Sequence, residues 1–364
     1  MGNQGKAETN GGTEPARVGS DRRRAVTAVL PPRRLGRSPV DVTELSFGGA
    51  AIGNLFTAVS DDDARAAVDA AWDGGIRTFD TAPHYGLGLS ERRLGDALRH
   101  RPRDSYVLST KVGRLLEPVG PAGLAGPAGP AGPGPARDAQ GFDVPATQVR
   151  RFDFSADGVR RSLDASLGRL GLDRVDIALI HDPDDHGEQA FREAYPALEK
   201  LRAEGVVRAI GVGMNQAEML TRFVTETDID VVLMAGRYTL LDRSAADALL
   251  PAAQRRGVSV IAGGVFNSGL LAKPQAGATY DYQAAPDSLI GRARRLEQAC
   301  AEFGVPLRAA AARFPLTHPA VASVLIGARN AAEISDAITL RALDLPPALW
   351  RALAPLTPPQ TSGR

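Results

Sequence analysis

From Leu45 onward, short runs of β-branched and aliphatic residues alternate with longer segments of helical period, the pattern that repeated strand–helix units produce. Residues 45–48, 77–79, 106–110, 175–180, 207–212, 231–234, 258–262 and 321–326 read as strands. Helical stretches fall at 64–72, 91–98, 156–170, 191–203, 217–225, 245–256, 289–303 and 331–340. Eight such units in succession predict an α/β fold, a closed (β/α)8 barrel in a single domain. Ser60 and Asp61 stand where the first helix needs a cap, as Ser155 and Asp157 do for the third, and Gly171 and Gly257 supply helix stops.

Three stretches depart from this pattern. Residues 1–40 are rich in Gly, Arg, Pro and polar residues, which predicts a disordered leader ahead of a barrel spanning 41–350. Within it, Arg22, Arg23 and Arg24 precede an apolar run that Pro31 and Pro32 end too soon for an export signal. Residues 351–364 read as a flexible tail. Residues 117–145 carry a Gly/Pro tract too short and irregular for a collagen-like helix; it reads as a flexible loop on the face where barrel strands end, beside a substrate mouth.

Composition narrows the classes of function. The formal net charge is +1, so no overall field exists to hold nucleic acid or an anionic membrane, and no apolar run approaches the ~18 residues of a membrane span. A small diffusing substrate fits better. The single cysteine, Cys300, excludes an internal disulfide and a cysteine-based zinc site; it falls in a helix as a buried, inert thiol, and a reducing, cytoplasmic setting follows. His100, His186 and His318 lack metal-ligand spacing, so no metal site is expected. No pattern in the chain sets its oligomeric state.

In barrel enzymes the chemistry stands at the C-terminal ends of strands. Here Asp80 ends the run IRTF, Lys111 ends YVLST, His181 ends VDIALI, and Asn215 follows AIGVGM. Polar residues closing four strands are a set that isolated turn residues rarely make. There is no G-x-G-x-x-G between a strand and a helix near the N-terminus, so a separate dinucleotide domain has no support.

Over residues 42–345 the chain resembles the aldo-keto reductases. GIRTFDTAPHYGLGLSERRLGDAL is similar to their signature, in which Asp and Tyr lie five residues apart, STKVG carries the Lys, LIHDPD the His, and AIGVGMNQ the nicotinamide-binding strand end. FGGAAIGN, HDPDDH and VFNSGLL look most like the aldose dehydrogenase branch, which includes L-fucose, threo-aldose and pyridoxal dehydrogenases. The resemblance implies a catalytic set of Tyr85, Asp80, Lys111 and His181, with a sugar or aldehyde as the substrate. Oxidation at the anomeric carbon to a lactone is the reading it favours. Another aldehyde such as pyridoxal, or a nucleotide-binding regulatory barrel like the potassium-channel β subunits, remain alternatives. A metal-dependent hydrolase would need more His, Asp and Glu at strand ends.

The residue types suit such chemistry. Moving a hydride off an alcohol carbon needs a group that takes the hydroxyl proton. A free phenol titrates near ~10, and a neighbouring Lys⁺ favours the phenolate, so Lys111 is expected to lower the pKa of Tyr85. Asp80 would orient the ammonium and His181 would align the substrate oxygen. His84 is expected to be a pocket wall rather than a second acid.

By the same resemblance a nicotinamide nucleotide would meet Gly48, Gly49, Asn215, Phe266, Asn267, Ser268, Gly269, Leu270, Gly327, Ala328, Arg329 and Glu333, the glycines admitting close backbone approach. Ala235 and Gly263 stand where many relatives place a Gln and a nicotinamide-stacking aromatic, so Phe266 or Tyr238 is expected to substitute. Glu333 aligns where relatives that prefer NADP place an Arg. A carboxylate there repels the 2′-phosphate, which predicts NAD over NADP, although Arg329 pulls the other way.

Overall fold

Eight parallel strands close on themselves: β1 (Leu45–Gly48), β2 (Thr78–Asp80), β3 (Val107–Val112), β4 (Ile177–His181), β5 (Ala209–Met214), β6 (Val231–Ala235), β7 (Ser259–Gly263) and β8 (Val321–Gly327). Each pairs with its neighbours in sequence, and β8 returns to β1. This computed structural model describes residues 1–2, 29–120, 125–129 and 132–357. The helices that wrap the strands are α1 (Asp61–Asp73), α2 (Leu89–Leu98), α3 (Ala156–Leu170), α4 (Tyr195–Ala203), α5 (Ala217–Glu226), α6 (Leu249–Arg256), α7 (Asp287–Ala301) and α8 (Ala331–Arg341). The expected barrel is the observed fold, and every expected strand and helix finds its counterpart. None of the helices among the described residues is long and apolar enough to cross a membrane.

Local chemistry sets the helix ends as expected. The Ser60 and Ser155 hydroxyls accept hydrogen bonds from the Asp63 and Gly158 amides, and Gly171 and Gly257 end their helices in the left-handed conformation. The segment expected as one helix from residue 191 begins as a π-helical turn, Ala190–Ala194, before α4. Cys300 is buried in α7, where burial pushes its thiol up to about 11.

The chain ends and the Gly/Pro stretch differ from expectation. Pro32–Arg34 and Asp41–Thr43 form an antiparallel hairpin whose Leu35, Val40 and Val42 are fully buried against the inward residues Ile177, Leu179, Val231 and Leu233. Apolar side chains inside the supposed leader therefore close the N-terminal end of the barrel, and order begins before residue 41; residues 3–28 lie outside the described part. At the other end Pro347–Leu353 is helical, with Leu353 and Thr357 buried, so the first residues of the expected tail are packed. Residues 358–364 are not described.

The 117–145 stretch is anchored rather than loose at its base. Arg114–Pro118 pairs antiparallel with Gln148–Phe152, and Phe142 and Val144 are buried. Residues 121–124 and 130–131 of the tract are outside the described residues.

Helix α2 crosses α3 closely because Gly95 carries no side chain: a Cβ there would lie 1.9 Å from the Leu170 carbonyl oxygen. Gly95→Ala should therefore destabilise the fold by about 1–3 kcal/mol. The expected outcome is a lower thermal midpoint; an unchanged one would refute the close crossing.

Candidate active site

Register assembles the polar cluster. Asp80 on β2 pairs with Ser109 on β3, and alternation along β3 puts Lys111 on the same side as Ser109. The Asp80 carboxylate accepts hydrogen bonds from Ser109 Oγ at 2.5 Å and from Lys111 Nζ at 2.7 Å. Lys111 Nζ also donates to the Thr81 carbonyl at 3.0 Å and to the Tyr85 hydroxyl at 3.0 Å. An ammonium has three donors, and here all three are used.

Tyr85 is presented by a tight turn after β2, in which the Tyr85 amide donates to the Ala82 carbonyl at 3.1 Å. Gly86 in this turn has φ +61°, and a Cβ would meet the Gly53 carbonyl at 2.2 Å, so only glycine lets the turn seat against the segment after β1. Since Tyr85 Oη accepts from Lys111 and makes no other hydrogen bond among the described residues, its own proton is left to face the cavity. His181, the last residue of β4, brings its ring edge-on to Tyr85 with centroids 5.9 Å apart.

These side chains line a cavity of about 440 Å³ that Phe56, Phe142, Asn215 and Tyr282 also border. The sequence-predicted Tyr85, Lys111, His181 and Asn215 thus meet at one cavity, with Asp80 buried behind Lys111.

Electrostatics departs from expectation at Tyr85. Burial penalises the phenolate, and the Asp80 carboxylate adds to this; Lys111 offsets only part, so the phenol is pushed up to about 12 instead of being made more acidic. Burial also works against the Lys111 charge, but Asp80 and Tyr85 more than compensate and hold its pKa above the ordinary value. Burial, reinforced by the Arg114 and Lys111 charges, drives His181 well below its usual range, and burial with Arg114, Arg150 and Lys111 takes His84 down to about 2. Both imidazoles are neutral at physiological pH, so His84 lines the cavity as a wall that cannot serve as an acid.

The predicted cofactor positions divide. Asn215 borders the cavity. Asn267, Ser268 and Gly269 form a turn with positive φ after β7; Asn267 Oδ1 is buried without a partner among the described residues, and beyond Gly269 lies open space. Leu270 is buried in the apolar core and Phe266 packs against it, so neither side chain reaches the cavity. Tyr238 packs on Phe314 with centroids 4.9 Å apart; neither expected substitute aromatic borders the cavity.

Gly48 pairs with Asp80 in the β1–β2 register. The space beside Gly49 is filled by Ser90 Oγ and the Asp80 carbonyl, which a Cβ on this residue would meet at 2.5 and 2.8 Å, so internal packing alone requires a glycine there. Gly327 and Ala328 carry β8 to the N-terminus of α8. There Arg329 donates to Glu333 through Nε at 2.9 Å, Nη2 at 2.6 Å and its backbone amide at 2.8 Å, so the two charges expected to compete are paired with each other.

Several residues in or behind the cavity wall had no signal in the sequence. Arg114 pairs with Asp182, the strained residue after His181 with φ +40°. Arg150 holds Asp138 and donates to the His84 carbonyl at 2.9 Å. Phe56 and Tyr282, both at positive φ, pack together with centroids 5.8 Å apart. The HDPD motif flagged Asp182 only as a neighbour of His181, and the others depend on which distant segments meet.

A closed barrel that gathers Asp, Lys, Tyr and His at its C-terminal rim defines a class of nicotinamide-dependent oxidoreductase. The chain belongs to the aldo/keto reductase family, which matches residues 44–356, and it is an oxidoreductase. It is 47% identical over 322 residues to a D-threo-aldose 1-dehydrogenase of a Pseudomonas species, covering 86% of this chain and 93% of that protein. It is 40% identical over 334 residues to a pyridoxal 4-dehydrogenase of Microbacterium luteolum, covering 88% and 96%. An aldo-keto reductase of Bacillus halodurans, solved in its holo form, superposes with a TM-score of 0.69 at 26% identity, covering 90% of this chain and 97% of that one.

Both depressed imidazoles carry a signed consequence. The unfolded chain takes up protons near pH ~6.5 that the folded site refuses, so this part of the stability is complete above that pH and is lost below it, by about 1.4 kcal/mol per pH unit for each ring. Nuclear magnetic resonance of the histidine rings should show two neutral imidazoles, removed in turn by His84→Phe and His181→Phe, whose shifts stay flat from about pH 8 to 5. Titration of either between those values would contradict the assigned electrostatics.

Proposed function

We propose that this oxidoreductase oxidises an aldose of the L-fucose or D-threo type at its anomeric carbon, giving a lactone, with NAD as the preferred hydride acceptor. The observation that carries the reading is the hydroxyl of Tyr85, fixed by Lys111 at 3.0 Å and facing a cavity rimmed by a neutral His181. Similarity to a D-threo-aldose 1-dehydrogenase supports the substrate class.

Tyr85 acts on the proton. His181 donates an N–H to the C1 oxygen and aligns it, and Tyr85 Oη takes the hydroxyl proton as that oxygen becomes a carbonyl. The acceptor of that proton is the Tyr85 phenolate, whose charge Lys111 stabilises until the proton arrives, and Asp80 and Ser109 hold Lys111 in place. When bound, an oxidised nicotinamide supplies the acceptor for the hydrogen and two electrons leaving C1. Asn215, the Asn267–Gly269 turn and the Gly327–Glu333 junction are the groups assigned to holding it; the unpartnered Asn267 oxygen and the open space at Gly269 fit that role.

The raised phenol sets the pH dependence. Tyr85 is protonated at neutral pH, which suits the acid of the reduction direction; oxidation needs the proton removed, so its kcat/KM should rise with pH through the alkaline range while reduction does not. Tyr85→Phe should lose about 10²–10⁴-fold in kcat while keeping nucleotide affinity, as read by nicotinamide absorbance and by nucleotide titration. A phenylalanine variant with near-normal kcat would reject the role. Assays of L-fucose, simple aldehydes and pyridoxal separate the aldose reading from the pyridoxal one that the second relative raises, and the absence of any turnover would favour a regulatory barrel.

Cofactor choice rests on the Arg329–Glu333 pair. A 2′-phosphate would have to compete with Glu333 for the guanidinium and meet its carboxylate. Glu333→Gln should free Arg329 and shift the NAD-to-NADP ratio of kcat/KM toward NADP by about tenfold or more; a wild type that uses NADP better than NAD would dispose of the proposal.

A further inference from the structure

His84 has no part in the proton transfer above, yet it occupies a costly position. Its ring lies 5.6 Å from His181 and 6.0 Å from Tyr85, centroid to centroid, and the Tyr85–His181 distance is 5.9 Å. Three rings thus surround one point of the cavity at nearly equal spacing. The His84 imidazole is held there from outside: Phe142 packs against it edge-on at 5.1 Å and Arg150 donates to its carbonyl.

The tautomer follows from which nitrogen is buried. Nδ1 of His84 is buried with no hydrogen-bond partner among the described residues, and so is Nδ1 of His181. An orphaned buried N–H is rarer and costlier than an orphaned lone pair, so the single proton of each neutral ring belongs on Nε2. The surrounding cations Arg114, Arg150 and Lys111 disfavour a second proton on either ring. Two N–H donors therefore converge on the cavity from adjacent rings, and only one is needed for the oxygen on the reacting carbon.

We infer that His84 is a specificity-determining residue whose Nε2–H binds the hydroxyl on the carbon next to the reacting one, selecting 2-hydroxy aldehydes and the corresponding sugars over substrates lacking that group. A hydroxyl there gives the second donor an acceptor. A substrate without it leaves a desolvated N–H unpaired, which is the situation in which a polar pocket discriminates most strongly. The inference deepens the aldose reading and rests on it for the sugar itself, though not for the neighbouring hydroxyl.

The test uses two substrate pairs that differ only at that hydroxyl: L-fucose against 2-deoxy-L-fucose in oxidation, and lactaldehyde against propanal in reduction. Wild type should prefer the hydroxylated member of each pair by about tenfold in kcat/KM, mostly through KM, the scale of one neutral hydrogen bond. His84→Phe should collapse that ratio to near one, and His84→Gln, which keeps an N–H, should restore part of it. An equal ratio in wild type and His84→Phe overturns the inference, and so does a wild type without preference, a result that needs no folded variant. If wild type turns over neither sugar yet still separates lactaldehyde from propanal in a His84-dependent way, the aldose reading falls and this one stands. If it oxidises both sugars equally well, the reverse holds.

Discussion

Everything at the rim of this barrel is organised around one desolvated ammonium. Lys111 is only 1% exposed, and a buried charge is tolerated when its partners replace water; removing a partner of such a pair costs on the order of 3–5 kcal/mol. Asp80 supplies the counter-charge, Ser109 fixes the carboxylate by occupying its other oxygen, and the Thr81 carbonyl and the Tyr85 hydroxyl complete the shell. Because all three Lys111 protons are spoken for, the ammonium has one geometry, and so does the phenol bonded to it. The strand register that sets Asp80 beside Ser109 is therefore a requirement of the chemistry as much as of the sheet.

Two further cations lie behind the cavity wall, and they are tied down as well. Arg114 is paired with Asp182, and Arg150 with Asp138. Together they keep His84 and His181 neutral, while burial outweighs Lys111 at Tyr85. The site thus offers neutral donors and a protonated phenol among paired charges, an arrangement that can orient a substrate oxygen without protonating the rings around it.

The barrel and its rim residues were legible because both are written locally. Strand runs, helix caps and the polar residues that end four of the strands need no knowledge of what lies across the molecule; Tyr85 was named by the family resemblance alone, and it does meet Asp80, Lys111 and His181. What was illegible is non-local. The sign of the Tyr85 shift depends on desolvation by walls such as Phe142, which arrives from a hairpin more than fifty positions away in sequence. Arg329 and Glu333 are an exception: they looked like rival charges although their pairing, four positions apart at the start of α8, is local. Leu35 and Val40 were lost in a polar stretch, since two apolar residues show no period until the barrel floor they close is present.

Gly213 shows how one residue can serve the two halves of this structure. The family resemblance draws attention to its strand as the approach to a nicotinamide, which would leave the glycine as a matter of ligand clearance. In the folded chain a Cβ at Gly213 would only touch Lys111 Cε at 3.4 Å and Leu179 Cδ1 at 3.6 Å, at ordinary contact distance. Leu179 belongs to the apolar cluster that fills the barrel below, so the lysine stem crosses from that floor to the polar rim through the space the glycine leaves. Packing of the barrel core and the position of its buried charge are therefore linked: the stem lies in contact with Leu179 and the Gly213 strand, and moving it would leave a gap beside them.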